Sequence, residues 1–345
     1  KDVFKNQPEP HAIEVEVRAV NETGASVTNK ELCLEIKEHP NGQTVYRKNV
    51  RLESLKEGEN LQTYQIKVPN AHLWSVDSPR LYDLKISLND DAVTERFGFR
   101  WFEIKDVKGD RQFFLNGKRI VLRTAISWGF WPYNGITPSD ELAKRQITIA
   151  KELGLNMLNF HRNIGQTNIL DYADELGLLY FEEPGGNQYP IKNFNDNDKQ
   201  SNFYFAYRNE KLARMVKRDR NHPSLIIYNL HNERGAYPQT QDYDQMRMAH
   251  ALDPTRILTY NSSNGENPAE EHNTRFKLHL MPYDTTFYDY GWYDRHHAGG
   301  PGCYHDNLYL GKDNYHRFSD HKKEIVYWGE DGTNATTCTP GPWNL

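Results

Sequence analysis

The stretch Asn221–Gly235 reads NHPSLIIYNLHNERG, and the rest of the chain is organised around it. Asn221, His222 and Pro223 mark a helix exit. Leu225–Leu230 then forms an apolar, β-branched and aromatic run suited to a strand buried on both faces. The run stops at His231, Asn232 and Glu233, three polar groups in succession. In an α/β barrel the C-terminal strand ends form the floor of the active site, which makes Glu233 a candidate catalytic carboxylate. A second reading stays open at this point: Glu233 caps the following helix or pairs with Arg234.

Working outward, strand and helix patterns alternate from about Phe99 onward. Ile120–Ile126 reads as a first buried strand, fed by a hairpin over Phe113–Gly117. Ser139–Gly154 carries apolar residues at helical spacing behind a Ser/Asp/Glu start. Leu155–Phe160 and Leu178–Phe181 read as strands, with a helix over Asn168–Gly177 between them that Gly177 closes. Asn202–Arg220 and Tyr243–Leu252 read as helices. Arg256–Asn261, Phe276–Pro282 and Glu324–Trp328 read as the fifth, sixth and seventh strands. This alternation predicts a parallel sheet closed as a (β/α)8 TIM barrel over residues 99–345. The barrel is expected to be truncated after its seventh strand, and Tyr283–Lys323, long and weakly periodic, is expected to be a loop at the substrate side.

Residues 1–98 follow a different rule. His11–Val20 alternates, with Ile13, Val15 and Val17 on one face and Glu14, Glu16 and Arg18 on the other. Leu32–Ile36, Thr44–Leu52, Gln62–Val68 and Leu81–Leu88 repeat the pattern, with turn chemistry at Asn21–Gly24 and Asn41–Gly42. Short alternating strands without helix patterns predict an antiparallel, immunoglobulin-like β-sandwich. The chain is therefore expected to be multidomain, a β domain followed by an α/β domain.

Bulk properties narrow the function classes. A net charge of -5 over 345 residues, with no Lys/Arg block, argues against nucleic acid as a partner. No apolar run approaches bilayer length, so no membrane partner is expected. The N-terminus has no signal-peptide pattern and reads as an internal stretch, which leaves the compartment open, periplasmic and extracellular included. Cys33, Cys303 and Cys338 are too few and too scattered for a disulfide framework or a C-x-x-C metal site. The 14 His show no H-x-x-x-H or H-E-x-x-H pattern, so no metal is expected. No G-x-G-x-x-G or Walker pattern occurs, so no nucleotide cofactor is expected. The N-x-S/T triplets at Asn21, Asn261 and Asn334 are short enough to occur by chance.

Polar residues collect at the predicted strand ends: Trp128 and Trp131, then Asn159, His161 and Arg162, Glu182 and Glu183, His231, Asn232 and Glu233, Tyr283, and Glu330 with Asp331. Carboxylates across a barrel mouth, ringed by aromatics and neutral donors, suit glycoside hydrolysis. One carboxyl protonates the leaving oxygen while another attacks the anomeric carbon. At a separation of about 5–5.5 Å two such groups also drive each other's pKa apart. A metal-dependent barrel hydrolase is the competing reading.

The run RNHPSLIIYNLHNERG closely resembles the acid/base signature of glycoside hydrolase family 2, the family of β-galactosidases, β-glucuronidases and β-mannosidases. Other stretches follow in the family's order: LWSVDSPRLYDLKISL (Leu73–Leu88), FGFRWFEI and FFLNGKRIVLR at the start of the barrel, LDYADELGLLYFEE, and DPTRILTY. The resemblance implies a retaining exo-β-glycosidase, most similar to a β-galactosidase, acting on an oligo- or polysaccharide. It assigns the general acid/base to Glu233, the 2-hydroxyl contact to Asn232 and the nucleophile to Glu330 in EIVYWGEDG. Glu324, the rival nucleophile, begins its strand and would face the other end of the barrel. Tyr283 is similar to the family's tyrosine that bonds the nucleophile. Trp128, Trp131, His161, Arg162, Glu183 and His231 are the further subsite candidates. Three positions depart from the family: TAISWG (Thr124–Gly129) where Gly-x-Asn-x-His-Glu is common, Asn159–Arg162 where Arg-x-Ser-His is common, and Asp331 where a tyrosine usually follows the nucleophile. These shape the sugar subsite, so β-glucuronidase and β-mannosidase activities, and a carbohydrate-binding pseudoenzyme, stay as alternatives.

Overall fold

In the computed structural model the described residues are 11–127, 137–185, 199–232, 240–262, 280–283, 292–295 and 325–328. They divide into two units. One comprises the described residues up to Trp101 with Asp174–Gly177 and Asn221–Pro223, and the other comprises the remaining described residues.

In the first unit, β1 (Ala12–Asn21) pairs antiparallel with the later β4 (Gly58–Lys67). β2 (Val27–His39) and β3 (Thr44–Leu55) join β5 (Leu81–Leu88) and β6 (Asp91–Phe97) in a sheet of order β3-β2-β5-β6. Strand alternation does the packing, because side chains two apart share a face. Val15 and Val17 of β1, Leu32, Leu34 and Ile36 of β2, Leu52 of β3, Ile66 of β4 and Leu84 and Ile86 of β5 bury together in one core. Tyr82, Phe97 and Phe99 close one side of it edge to face, with ring centroids 5.1 Å and 5.2 Å apart for the two pairs that include Phe99. This is the expected sandwich-like arrangement.

β6 was not anticipated. Its first five residues are all exposed, so no apolar alternation announces it. It forms because the Asn89–Asp90 connection, with Asn89 at φ +54°, turns the chain back to pair Leu88 with Asp91.

The second unit opens with a three-stranded antiparallel sheet: β7 (Phe102–Val107), β8 (Asp110–Leu115) and β9 (Lys118–Arg119). The first strand of the main sheet is β10 (Thr124–Ser127), shorter and later than the expected Ile120–Ile126. The intervening residues are held otherwise: the Ile120 amide bonds the Phe113 carbonyl, and the Arg123 amide bonds the Asn156 side chain. α1 (Asp140–Glu152) follows, with Ser139 accepting from the Leu142 amide as its N-cap. Then come β11 (Met157–Phe160), α2 (Thr167–Leu176), β12 (Leu179–Glu182), α3 (Lys199–Asp219), β13 (Leu225–Asn232), α4 (Thr240–Leu252) and β14 (Ile257–Ser262).

β10 to β14 run parallel in that order, joined through α1 to α4 as the alternation predicted. Every residue of β11 to β14 is buried, as a parallel sheet covered on both faces requires. The expected sixth strand is different. Among the described residues it is β15 (Leu280–Met281), which lies antiparallel to β14. The expected seventh strand, β17 (Ile325–Trp328), pairs in parallel with β16 (Trp292–Arg295), which sits inside the stretch read as a loop. Four residues with no apolar repeat (WYDR) give no periodic signal, so β16 was invisible to pattern reading. No described helix is long and apolar enough to cross a membrane.

Candidate active site

Four adjacent parallel strands end in polar residues, and the structure joins several of them into one network. Arg162 follows β11 and has a left-handed backbone, φ +55°. That conformation is uncommon outside glycine and needs outside support. Glu183, only 2% exposed just past β12, supplies it by accepting the Arg162 amide at 2.9 Å. The other Glu183 oxygen accepts from the Asn229 side chain at 3.2 Å, and Asn229 in turn accepts from the Thr259 hydroxyl at 2.7 Å. One buried carboxylate thus ties the turn after β11 to the centres of β13 and β14.

Arg162 also reaches the end of β13. With the Asn232 amide oriented to satisfy both groups, its Oδ1 accepts from Nε and Nη2 of Arg162, each at 2.9 Å. Asn232 is 5% exposed and is the residue immediately before Glu233. His231 is held separately. Its Nε2 lies 2.9 Å from Asp242 at the start of α4, Arg208 of α3 approaches the same ring at 3.0 Å, and Tyr260 packs against it edge to face.

Glu182 points to different company from its neighbour Glu183. It accepts from the Gly165 amide at 2.8 Å and lies 3.7 Å from Arg218. Burial, and after it the charge of Asp219, hold its carboxyl well above the usual range. Tyr283 sits after β15, its hydroxyl accepting the Ile104 amide at 2.5 Å. Lys211 of α3 lies beside the turn after β12: a side chain on Gly185 would come within 3.4 Å of its Nζ, and burial lowers its pKa.

Of the residues singled out from sequence, Arg162, Glu183 and Asn232 therefore fall in one bonded group. His161, 1% exposed, lies next to it in the chain. Glu233, Glu330, Trp128 and Trp131 lie outside the described residues. Asn229 and Thr259 were missed, although a lone Asn inside LIIYNL was a readable signal. Asp242 and Arg208, the partners of His231, sit on helices with no pattern to mark them. The triplets at Asn21 and Asn261 place their asparagines at 6% and 3% exposure, which leaves neither open to glycosylation in the folded state.

Two family models match the chain: "Glycosyl hydrolases family 2, TIM barrel domain" over residues 104–297 and "Glycosyl hydrolases family 2" over residues 4–100. The chain belongs to glycoside hydrolase family 2. Among its relatives is a β-galactosidase of Thermoanaerobacterium thermosulfurigenes, 30% identical over 223 residues, which are 63% of this chain and 29% of that protein. The chain thus spans under a third of the length of this relative. Similar solved structures include a β-glucuronidase of Parabacteroides merdae, with 27% identity, a TM-score of 0.55 and coverage of 72% of this chain and 32% of that one. A Bacteroides uniformis β-glucuronidase, at 24% identity and a TM-score of 0.59 over 72% of this chain and 31% of its own, shares the fold.

Proposed function

We propose that the chain carries the catalytic core of a retaining exo-β-glycosidase, β-galactosidase-like in its chemistry, with β-glucuronidase and β-mannosidase specificities as the alternatives. Its sandwich domain is taken as residues 1–98 and its barrel domain as 99–345. The observation that carries this reading is Asn232, buried at the end of β13 with its amide engaged by Arg162, in the family's Asn-Glu position. Membership of a glycoside hydrolase family supports it.

In the proposed reaction the Glu330 carboxylate attacks the anomeric carbon as the bond to the departing oxygen breaks. Glu233 gives that oxygen its proton. Glu233, now a carboxylate, takes a proton from water as the water attacks the same carbon, which frees Glu330 and releases the sugar. Asn232 binds the 2-hydroxyl, a contact that strengthens as the oxocarbenium-like state develops. Tyr283 is assigned to the hydrogen bond with Glu330, and His161, Trp128 and Trp131 to the rim of the sugar site, while Arg162, Glu183 and His231 act through the groups they hold.

The test is a panel of 4-nitrophenyl β-galactoside, β-glucuronide and β-mannoside. Turnover of one of them, lost in both Glu233→Gln and Glu330→Gln, is expected and names the sugar. No turnover, together with sugar binding indifferent to both substitutions, overturns the reading in favour of a binding protein. Loss of activity with a chelator would instead point to a metal-dependent hydrolase.

A further inference from the structure

We infer that Arg162 is a positioning residue for Asn232, fixing its amide so that the Nδ2 hydrogens face the substrate's 2-hydroxyl; this rests on the glycosidase reading above. A side-chain amide has two nearly isosteric orientations with opposite hydrogen-bond character. In one the group presents a donor, in the other an acceptor, and rotation between them would let a strand-end asparagine serve either way. Two guanidinium donors on one oxygen remove that freedom. Nε and Nη2 of Arg162 both meet Oδ1 of Asn232 at 2.9 Å, and the reverse orientation would set N–H groups against N–H groups. The oxygen is thereby committed, and the Nδ2 hydrogens are turned away from the guanidinium, to the side where acceptors lie.

The arginine is itself anchored, which a surface side chain is not. Its backbone is fixed at φ +55° by the Glu183 carboxylate, and that carboxylate is fixed by Asn229 and, through it, Thr259. The order of dependence runs from the centre of β14 to the end of β13: Thr259, Asn229, Glu183, Arg162, Asn232. Each link is a hydrogen bond between side chains or to a backbone amide, and Glu183, Asn229 and Thr259 are almost wholly buried. Such a chain supplies the preorganisation that an interaction made chiefly in the transition state needs. In this role Arg162 acts through Asn232 and not on the reacting atoms.

A double-mutant logic on substrate and enzyme separates this role from a merely structural one. On the best aryl glycoside of the panel, Arg162→Met is expected to lower kcat about 100-fold, as for a misplaced positioning group, with little change in KM. On the matching 2-deoxy glycoside, which has no group for Asn232 to hold, the same substitution is expected to change kcat less than about threefold, because the two losses are not additive. Arg162→Lys keeps the charge but not the two-donor fork, and is expected to behave like Arg162→Met. Equal losses on both substrates, or full activity in Arg162→Lys, overturn the inference. A second measurement needs no turnover: the side-chain amide resonances of Asn232 in the free enzyme are expected to move in Arg162→Met, and their failure to move overturns it as well. A moved resonance with no glycoside turned over would instead uphold the clamp and remove the glycosidase reading.

Discussion

Glu182 and Asp219 are two fully buried carboxyl groups joined through one cation, Arg218, whose Nε lies 2.7 Å from Asp219 and whose Nη2 lies 3.7 Å from Glu182. One arginine serves both buried carboxyl groups, so the negative charge of Asp219 opposes ionisation of Glu182. Burial, and then the charge of Asp219, push the Glu182 carboxyl well above its ordinary value.

The consequence for stability has a definite sign. A carboxyl whose folded pKa lies above its unfolded value binds more protons in the native state. Its stabilising contribution is complete below the ordinary value of 4.5 and is lost as pH rises toward the raised one. Glu182→Gln, which carries no titration, is expected to flatten that loss. Melting temperatures of the two proteins measured from pH 4 upward should diverge in favour of the variant as pH increases. Parallel curves would show that Glu182 ionises as it does in water.

Gly165 is expected to tolerate no side chain. A Cβ there would sit 2.3 Å from the Phe160 ring, which is itself stacked on Tyr180 at 4.4 Å and fully buried. The Gly165 amide and carbonyl are also both in use, bonded to Glu182 and Arg218. Gly165→Ala should therefore cost about 3 kcal/mol, at the upper end for an overpacked core. Urea unfolding read by circular dichroism measures the cost.

Asn159 predicts a change in the opposite direction. It is 1% exposed, and among the described residues neither its oxygen nor its nitrogen has a partner. Replacing such a group by an apolar one of similar volume removes an uncompensated desolvation cost. Asn159→Leu is expected to raise stability by about 1 kcal/mol. A lowered melting temperature would show that the amide is satisfied in solution.

Asn21 illustrates the contrary case in the sandwich unit. Its nitrogen donates to the Ala25 and Leu55 carbonyls at 2.8 and 3.0 Å, and its oxygen accepts from the amide and hydroxyl of Thr23. Asn21→Ala takes the side-chain donor from the Leu55 carbonyl and the acceptor from the Thr23 amide, while the Ala25 carbonyl keeps the Thr23 hydroxyl, for a loss of about 2 kcal/mol. Thermal unfolding of the variant against the parent chain checks it.

Legibility in the sequence followed burial. β1 and β5 were readable nearly to the residue because their alternating faces meet one core. β13 was readable because an unbroken apolar run has few other uses. β6 and β16 left no trace, since an exposed edge strand and a four-residue pair owe their form to partners elsewhere in the chain. The antiparallel course of β15 is a tertiary fact of the same kind. At the site, Arg162, Glu183 and Asn232 were visible as polar residues at strand ends, but their division of labour was not. That division depends on one backbone dihedral and one amide orientation, and neither has a compositional signature.

Glu183 has a bearing on attempts to alter what the site accepts. Because one of its oxygens holds the backbone of the turn after β11 and the other holds Asn229 in β13, the two neighbouring segments are not separable parts. A turn grafted into positions 162–165 from another family member inherits its support only if position 183 still carries a carboxylate of the same reach. Loop exchange on this scaffold therefore has a minimum unit, the turn after β11 together with the end of β12, and libraries that vary either alone will be filled mainly with chains that misplace Asn232.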